Sequence, residues 1–391
     1  MRVVYVNPFS QQVSGPDESL LGLLRHLGPL GIEAHVVLPA DGPPVERYRA
    51  VGATVHFAPL AILHRQLSAM DMARFPLETG RGARAVARIA REVGAELIHT
   101  NMEVVLDGAL AARALGLPHV LHYRGNTLAE PRLIFAALTR LWTGLSAQVF
   151  CISHATAQAI FGPRGGAKVQ VIYNPIEIAS FAAAAGSDDG AALAVRAQLG
   201  AGPGQRLIGT VGRIHPRKDV ETFVRACAAV ARERPEARFV VVGVAEVPVE
   251  EAYFARVKAL AAETGVADRL VFAGARRDMP AVMRALDVFV LSSRHEGFGR
   301  VVGEAMAAGR PVVVTNEGAL PELIEGDRCG LAARAGDGDD FAAQILRLLR
   351  DPALGAMLGE RGRQRASAFD AGAIAAHVAT VYRSLLAPAS R

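Results

Sequence analysis

The chain has 391 residues, of which 51% are hydrophobic and 21% charged, and its formal net charge is +5 at pH 7. At roughly 100–200 residues per domain, this length predicts two or three domains, and the apolar content excludes a disordered chain. Cys151, Cys227 and Cys329 lie far apart and form no CxxC pair, which argues against a disulfide framework or a zinc cage.

Strands and helices are predicted to alternate along the first half of the chain. Short apolar runs alternate with segments of helical periodicity, a pattern typical of parallel α/β layers. The predicted strands lie near residues 2–6, 34–38, 54–57, 96–99, 119–123, 148–152 and 169–173. Between the first two of them, Leu20, Leu24 and Leu27 lie at helical spacing.

The alternation breaks over residues 174–205, where clusters of Gly, Pro, Ser and Asp predict a connection between domains. A second α/β unit then begins, and the last segment predicts an amphipathic helix. The later predicted strands lie near residues 206–212, 238–243, 270–274, 287–292 and 311–315. We therefore predict two doubly wound, Rossmann-like parallel-sheet domains that face each other across a cleft. The predicted parts are an N-terminal domain (1–180), a linker (181–205), a C-terminal domain (206–368) and a helix that packs back on the N-terminal domain (369–391).

The sequence shows no targeting or membrane-spanning segment. The first residues predict a strand that ends at a proline rather than a signal peptide. No uncharged run approaches the ~18 residues of a spanning helix. Basic residues are spread over the chain, without the block that would favour nucleic acid. We therefore predict a cytoplasmic protein with no nucleic-acid partner, and the sequence predicts no oligomeric state.

Two glutamates seven residues apart form the most informative motif. Glu296 lies in a loop after a predicted strand, and Glu304 lies on the helix predicted from about 299 to 308. Their separation is on the order of 10 Å, which suits two ends of one long ligand better than the paired carboxyl groups of a glycosidase at ~5–9.5 Å. The backbone amides of Gly297 to Gly299 lie between them, at a helix N-terminus that favours anions. The motif predicts a nucleoside diphosphate sugar as ligand.

A second motif, Gly212 to Asp219, follows the first strand of the second domain. Arg213 and Lys218 carry charges that can converge on one diphosphate, Arg213 through a planar fork and Lys218 as a point charge. For this string alone, a solvated basic loop is the simpler interpretation. Asp219 is predicted to cap the helix that begins near Val220.

Together these strings resemble the second-domain signatures of retaining nucleotide-sugar glycosyltransferases of the GT-B fold, in glycosyltransferase family 4. Glu296 and Glu304 match the Glu-x7-Glu motif of that family, and Gly212, Arg213 and Lys218 match its Gly-Arg-x4-Lys string. The sequence departs from the pattern at Asp219, where the family usually has glycine. The resemblance covers nearly the whole chain and is strongest over 206–325.

The resemblance implies a role for each matching residue. Arg213 and Lys218 would bind the donor diphosphate, Glu304 the ribose and Glu296 the hydroxyls of the donor sugar. The predicted catalytic residues are His122, Arg213, Lys218 and Glu296. The predicted donor-binding residues are Gly15, Gly212, Arg276, Gly297, Phe298, Gly299 and Glu304. The resemblance also implies retaining transfer to a hydroxyl group of a carbohydrate or lipid-linked acceptor, with no essential metal or cofactor.

The first domain carries weaker signals. Gly15 lies in a loop that opens a helix, so its amide is predicted to face an anion, although Pro16 removes one N–H group. His122 ends a predicted strand, where related enzymes often have a histidine next to the reacting sugar. The predicted acceptor-binding residues are His99, Asn101 and Arg124.

Other interpretations remain open at the level of sequence. Asp337 and Asp339 match a metal-binding Asp-x-Asp motif, but a turn and helix cap is the preferred interpretation. The apolar segment 130–147 predicts a core helix, with peripheral contact to the inner face of the membrane as the alternative. A nucleotide-sugar epimerase shares the fold class, as does an NAD-dependent dehydrogenase, although no GxGxxG string follows a predicted strand. A catalytically inactive nucleotide-sugar-binding protein is a further alternative.

Overall fold

The structure is a computed structural model that describes residues 1–63, 69–125, 132–162, 166–182 and 189–387. The chain divides into two compact units. The first comprises Met1–Pro175 together with Ala371–Arg391, and the second comprises Ile176–Asp370.

In its described residues, the first unit contains a seven-stranded sheet in the order β3-β2-β1-β4-β5-β6-β7, and all its pairings are parallel. Its elements are β1 (Arg2–Val6), α1 (Gly15–Leu27), β2 (Glu33–Leu38), α2 (Pro44–Ala50), β3 (Thr54–Phe57), α3 (Ala69–Glu92), β4 (Leu97–Thr100), α4 (Asp107–Leu115), β5 (His119–Tyr123), α5 (Arg132–Leu145), β6 (Gln148–Cys151), α6 (His154–Phe161) and β7 (Val169–Val171). The central strand β1 alternates between two cores, because Val3 and Tyr5 pack on one face of the sheet while Val4 and Val6 pack on the other.

The described residues of the second unit form a six-stranded parallel sheet in the order β10-β9-β8-β11-β12-β13. The elements that follow β7 are α7 (Ile178–Ala182), α8 (Asp189–Gln198), β8 (Arg206–Val211), α9 (Val220–Glu233), β9 (Ala237–Val242), α10 (Pro248–Glu263), β10 (Leu270–Phe272), α11 (Met279–Ala285), β11 (Val288–Leu291), α12 (Arg300–Ala307), β12 (Val312–Thr315), α13 (Leu320–Leu323), β13 (Leu331–Ala333), α14 (Gly338–Arg350), α15 (Pro352–Ala366) and α16 (Ala371–Leu386). The fold prediction of two parallel-sheet α/β domains is confirmed.

The predicted linker 181–205 differs from the structure. Its helix α8 belongs to the second unit, where Arg196 donates to the carbonyl of Ala285 and to the carboxylate of Asp287, both at 2.7 Å. The glycine-rich stretch before β8 is therefore a turn within this unit, and the boundary between the units lies at Pro175. Residues 183–188 of the predicted linker lie outside the described part of the chain.

Helix α16 belongs to the first unit although it ends the chain. Ile374, Val378 and Tyr382 are buried in the same core as Leu20 and Leu24 of α1. The predicted core helix over 130–147 is observed as α5, and Trp142 of α5 is fully buried. Within the described residues, the structure contains no helix whose length and apolar character would allow it to cross a membrane.

Candidate active site

Both motifs of the second unit lie after strands of its parallel sheet. The Gly212–Asp219 loop follows β8, and the loop that holds Glu296 follows the neighbouring strand β11. Because the carboxyl ends of parallel strands meet at one edge of a sheet, the two loops are placed side by side, where such sheets bind ligands. Arg294 donates its backbone N–H to the carbonyl of Arg217 at 3.0 Å and so joins the loops directly.

Lys218 and Glu296 form an ion pair between the two loops. The carboxylate of Glu296 accepts a hydrogen bond from Nζ of Lys218, and both side chains are partly buried. The sequence predicts that these residues share a ligand, and the structure shows that they contact each other. An ammonium group and a carboxylate are thereby held together at one edge of the sheet.

The second cation, Arg213, is held by a residue that the sequence analysis missed. Its Nε lies 3.1 Å from Oε1 of Glu250, a side chain only 1% exposed. Glu250 also accepts a hydrogen bond from the backbone N–H of Glu246 at 2.9 Å, which fixes the carboxylate at the start of α10. A buried carboxylate needs such partners. The sequence signal for Glu250 is weak, since acidic residues are common in the first turn of any helix.

The loop around Arg213 and Lys218 has a cationic environment. The pKa of His215 is lowered, first by burial and then by the charges of Arg217 and Arg213. A neutral His215 accepts a hydrogen bond from the backbone N–H of Arg217 through Nδ1 at 3.0 Å. The loop therefore presents its positive charge on Arg213, Arg217 and Lys218 rather than on its histidine.

Asp219 adopts the backbone conformation that glycine adopts most easily. Its φ is +47° and its ψ is +49°, in the left-handed region, so the loop shape survives the departure from the family pattern. Asp219 is the N-cap residue of α9, as predicted, but its side chain makes no capping hydrogen bond to the helix backbone. The buried carboxylate instead accepts from Oγ1 of Thr222 at 2.9 Å and from Nε of Arg294 at 3.0 Å.

The helix α12 places the second glutamate of the motif. Glu304 is partly buried, and its Oε1 lies 3.7 Å from Nη2 of Arg300, one turn earlier on the helix. Gly297 and Gly299 flank Phe298 at the start of the helix. The ring of Phe298 is buried edge-on against Phe369 with the centroids 5.3 Å apart, and the predicted role of Phe298 in binding the donor stays a prediction. Phe298 anchors the loop by packing.

Gly318, in the loop after β12, lies against the backbone of Glu296. Its φ is +63°, and a Cβ atom at this position would lie 2.5 Å from the carbonyl oxygen of Glu296. The next residue, Ala319, donates its N–H to that same oxygen at 3.0 Å. The close approach therefore helps to position Glu296.

We expect Gly318→Ala to weaken catalysis about tenfold or more by displacing the Glu296 loop, because a Cβ atom so near a carbonyl oxygen forces the backbone to move. The matched control is Gly326→Ala. Gly326 also has a φ of +63°, but an added Cβ atom would meet nothing within 4 Å. Steady-state kinetics of both variants separate the contact with Glu296 from backbone strain, and equal losses would contradict the assigned role of Gly318.

Arg276 follows β10 and has partners within its own unit. Its Nε donates to Oδ1 of Asp278 at 2.9 Å and its Nη2 to Oε1 of Gln198 at 3.0 Å. The predicted role of Arg276 in binding the donor stays a prediction. A cavity of about 300 Å³ lies nearby at the carboxyl ends of β9 and β10, and Gly243, Phe254 and Phe272 line it.

The first unit gathers its predicted site residues into one buried network. Arg124 donates to Oδ1 of Asn101 from Nε at 2.9 Å and from Nη2 at 2.7 Å. Its Nη1 donates to Oδ1 of Asn174 at 2.7 Å, and its Nη2 lies 3.3 Å from Nδ1 of His122. The ring of His122 stacks on that of His99 with centroids 5.5 Å apart. The sequence thus selects residues that lie together.

The burial of these side chains limits the chemistry that they can perform. Burial, followed by the charge of Arg124, lowers the pKa of both His122 and His99 well below the ordinary value. This shift favours the neutral form of both imidazoles near pH 7, and the predicted catalytic role of His122 stays a prediction. His99 and Asn101 are fully buried, and His99 bonds to the hydroxyl of Tyr382. Their predicted role in binding the acceptor stays a prediction.

The loop around Gly15 is connected to the same network through Asp17. This buried carboxylate accepts from the backbone N–H of Ser14, from the hydroxyl of Tyr48 and from Nδ2 of Asn7, each at 2.8 Å. Asn7 in turn accepts from Nδ2 of Asn101 at 2.8 Å. The sequence analysis gave Asp17 no role, although the Ser-x-x-Asp spacing is the signal of a capping box, which the structure contains. The structure therefore holds the backbone around Gly15 in one shape.

The described residues contain no group of three or more His, Cys, Asp or Glu side chains arranged to hold a metal ion. Asp337 accepts from the backbone N–H of Asp340 at 2.9 Å and so caps α14. The interpretation of the Asp-x-Asp string as a turn and helix cap is confirmed.

Comparison with known proteins identifies the two halves of the chain. Residues 13–180 match the family model Glycosyltransferase Family 4, and residues 193–365 match the model Glycosyl transferases group 1. The chain is 34% identical over 218 residues to the lipopolysaccharide core biosynthesis mannosyltransferase LpcC of Rhizobium leguminosarum bv. viciae. That alignment covers 55% of this chain and only 60% of the relative.

Two longer similarities cover nearly the whole chain. A GDP-mannose-dependent alpha-mannosyltransferase of Mycobacterium tuberculosis (strain CDC 1551 / Oshkosh) is 27% identical over 376 residues, which is 92% of each protein. The crystal structure of Anabaena Alr3699/HepE in complex with UDP superposes with a TM-score of 0.82 at 24% identity, covering 98% of this chain and 100% of that one. This structural likeness establishes the fold.

Proposed function

We propose that this chain, whose two halves match the models Glycosyltransferase Family 4 and Glycosyl transferases group 1 in the GT-B fold, transfers a sugar from a nucleoside-diphosphate sugar to a hydroxyl acceptor with retention of anomeric configuration. The observation that carries this proposal is the side-by-side placement of two cations and a carboxylate, Arg213, Lys218 and Glu296, at the carboxyl edge of the second sheet. Glu304 lies on the adjoining helix.

In the proposed reaction, the bond between the anomeric carbon and the β-phosphate oxygen breaks, and the nucleoside diphosphate leaves with increased negative charge. Arg213 and Lys218 stabilise that charge, because fixed cations in a partly buried site need little reorganisation. Glu296 accepts hydrogen bonds from hydroxyl groups of the donor sugar, and Glu304 accepts them from the ribose. The acceptor oxygen attacks the same face of the sugar, and its proton passes to the departing phosphate oxygen.

We propose that no metal ion is essential for this chemistry. In this scheme, the side chains of Arg213 and Lys218 supply the two positive charges that a divalent cation provides in other nucleotide-dependent enzymes. Glu250 keeps the guanidinium of Arg213 in place. No resident cofactor enters the mechanism, since the nucleotide sugar is itself the substrate.

The functions for which the relatives are named narrow the class of acceptor that we propose. LpcC is named for lipopolysaccharide core biosynthesis and the mycobacterial relative for GDP-mannose-dependent mannosyl transfer. We propose a role at the cytoplasmic side of the cell envelope, with a carbohydrate or lipid-linked acceptor of a polysaccharide, glycolipid or glycoconjugate. The identities of the donor base and sugar are left to experiment.

Thermal stabilisation by nucleotides tests the donor site directly. We expect one nucleoside diphosphate, and its sugar conjugate, to raise the melting temperature equally with EDTA and with Mg²⁺. A ligand at ~100 times its dissociation constant contributes roughly 2.7 kcal/mol to the free energy of unfolding. A panel of UDP, GDP, ADP, their sugars and NAD should be measured by scanning fluorimetry. Stabilisation by NAD alone would instead favour the dehydrogenase, and stabilisation that requires Mg²⁺ would contradict metal independence.

The products formed from the sugar nucleotide distinguish a transferase from an epimerase or an inactive binding protein of the same fold class. Release of the nucleoside diphosphate from the stabilising sugar nucleotide, with formation of a glycosylated acceptor, is expected of a transferase. Interconversion of the sugar without release of the diphosphate would indicate an epimerase. Binding of the donor without either reaction, over a broad acceptor panel, would indicate an inactive binding protein.

A further inference from the structure

Helix α3 of the first unit carries a row of exposed arginines, and all but the first of them follow Pro76, which lies inside the helix. Successive members are seven or three to four residues apart, so they share one face of the helix within an arc of about 100°. The row consists of Arg74, Arg81, Arg84, Arg88 and Arg91, all exposed. At ~1.5 Å per residue the row is about 26 Å long. None of these arginines belongs to the motifs that carry the proposed reaction.

The opposite face of α3 fixes the direction of this row. Val86 and Ala90 are buried in the core on one face of the first sheet, together with Ala83 against neighbouring α4. The helix is therefore anchored with its arginines outward. Leu77 lies within the row and is 57% exposed, so the outward face also presents an apolar side chain.

The charge of this row is largely uncompensated. Among the described residues, only Arg88 has an acidic partner, with its Nε 3.9 Å from Oε1 of Glu92. That contact is long and exposed, and such pairs contribute little. Glu78 is the other acidic side chain that the described part of the helix presents to solvent. Five guanidinium groups against two carboxylates form an anion-binding surface rather than a network of surface ion pairs.

We propose that the arginine row of α3 docks the protein on an anionic lipid bilayer. Guanidinium groups bind phosphate oxygens in bidentate geometry, and their aliphatic stems can lie along the interface beside Leu77. Each basic residue near an anionic membrane surface multiplies the binding constant by a factor of about ten or less. A row of about 26 Å on one exposed helix face can contact several headgroups at once. Docking would bring the enzyme to a membrane-borne acceptor. Only this purpose of the docking rests on the proposed function.

Vesicle binding by the full chain tests the inference without any donor. We expect co-sedimentation with phosphatidylcholine vesicles that contain about a third phosphatidylglycerol, little binding to pure phosphatidylcholine, and release as the salt concentration rises from ~0.1 M to ~0.5 M. The variant Arg81→Gln, Arg84→Gln, Arg88→Gln should bind the anionic vesicles roughly 30- to 100-fold more weakly.

The matched control is Arg225→Gln, Arg232→Gln, Arg347→Gln, which removes the same charge from exposed positions of the second unit. It should keep most of the affinity for anionic vesicles. The inference would be overturned if the wild-type protein did not bind these vesicles. It would also be overturned if the two triple variants lost the same amount of affinity for them. Tighter binding of duplex DNA than of vesicles, lost in the α3 variant, would assign the row to nucleic acid instead. Thermal stabilisation of the α3 variant by nucleotides is measured in parallel. A defect in the donor site is thereby distinguished from a defect in vesicle binding.

Discussion

Lys218→Ala is expected to lower kcat/KM for sugar transfer by roughly 10²–10³-fold, as the loss of one preorganised charge contact to a developing anion does in other enzymes. Lys218 is partly buried, and its ammonium group is held by Glu296 at the edge of the second sheet. Removing it takes away a cation that faces the leaving diphosphate. It also leaves the carboxylate of Glu296 without this partner, so the repulsion between Glu296 and the diphosphate increases.

The neighbouring Arg217→Ala is the matched control. Arg217 carries the same charge on the same loop, is exposed and has no role in the proposed mechanism. Its replacement should change kcat/KM by less than about threefold, because exposed charges are screened by solvent and salt. Nucleoside diphosphate affinity should fall in the Lys218 variant and persist in the control. Equal activities of the two variants would exclude Lys218 from the diphosphate site.

The sequence predicts the pairing of the two second-unit motifs because both follow strands of one parallel sheet. What it does not predict is which carboxylate holds which cation. Lys218 contacts Glu296 within the recognised motifs, whereas Arg213 contacts Glu250, which belongs to no motif. Glu250 reaches Arg213 because α10 begins beside the loop after β8. Such a tertiary contact leaves no trace in local spacing.

The fold is more predictable than its boundaries. Long apolar runs such as the one in β9 identify the strands, but β13 has only three residues and was missed, since so short a run has no clear periodicity. The glycine-rich stretch before β8 indicates a turn correctly and a domain boundary wrongly. Glycine and proline signal only that the chain bends, and whether the bend joins two domains depends on what α8 packs against.

In the first unit, the sequence selects residues that lie together, but it does not predict how deeply they are buried. His99 and His122 lie near the carboxyl ends of neighbouring strands, so their proximity is predictable. Their burial depends on Arg124, Asn101 and the hydroxyl of Tyr382, which arrives from the far end of the chain on α16. Whether a histidine faces solvent or a buried guanidinium is decided by packing that periodicity does not encode.

A second large effect is expected from Asp107, a buried carboxyl group at the start of α4. Its Oδ1 accepts from the backbone N–H of Ala61 at 3.2 Å, and its Oδ2 has no hydrogen-bond partner among the described residues. Burial raises the pKa of Asp107 to about 7, and the hydrogen bond from Ala61 opposes the shift only in part. The folded protein therefore keeps this carboxyl group protonated under conditions in which the unfolded chain has lost the proton.

The sign of the pH dependence follows from that difference. Between the unfolded pKa of 3.8 and the folded value of about 7, the folded state binds more protons, so the free energy of unfolding falls as pH rises, by up to about 1.4 kcal/mol per pH unit. Asp107→Asn removes this titration and keeps an oxygen that can accept from Ala61. We expect the variant to gain stability over the wild type by on the order of 2–4 kcal/mol between pH 4 and pH 7.5.

The single tryptophan of the chain makes this measurement specific to the first unit. Trp142 is buried in α5, so its fluorescence during urea unfolding reports the unit that contains Asp107, whatever the second unit does. The exposed Asp41, also in the first unit, provides a control for the chemical change itself through Asp41→Asn, which the same fluorescence reports. A stability difference between Asp107→Asn and wild type that stays constant across this pH range would show that Asp107 is already ionised in the folded protein. Its Oδ2 would then need a partner that the described residues do not supply.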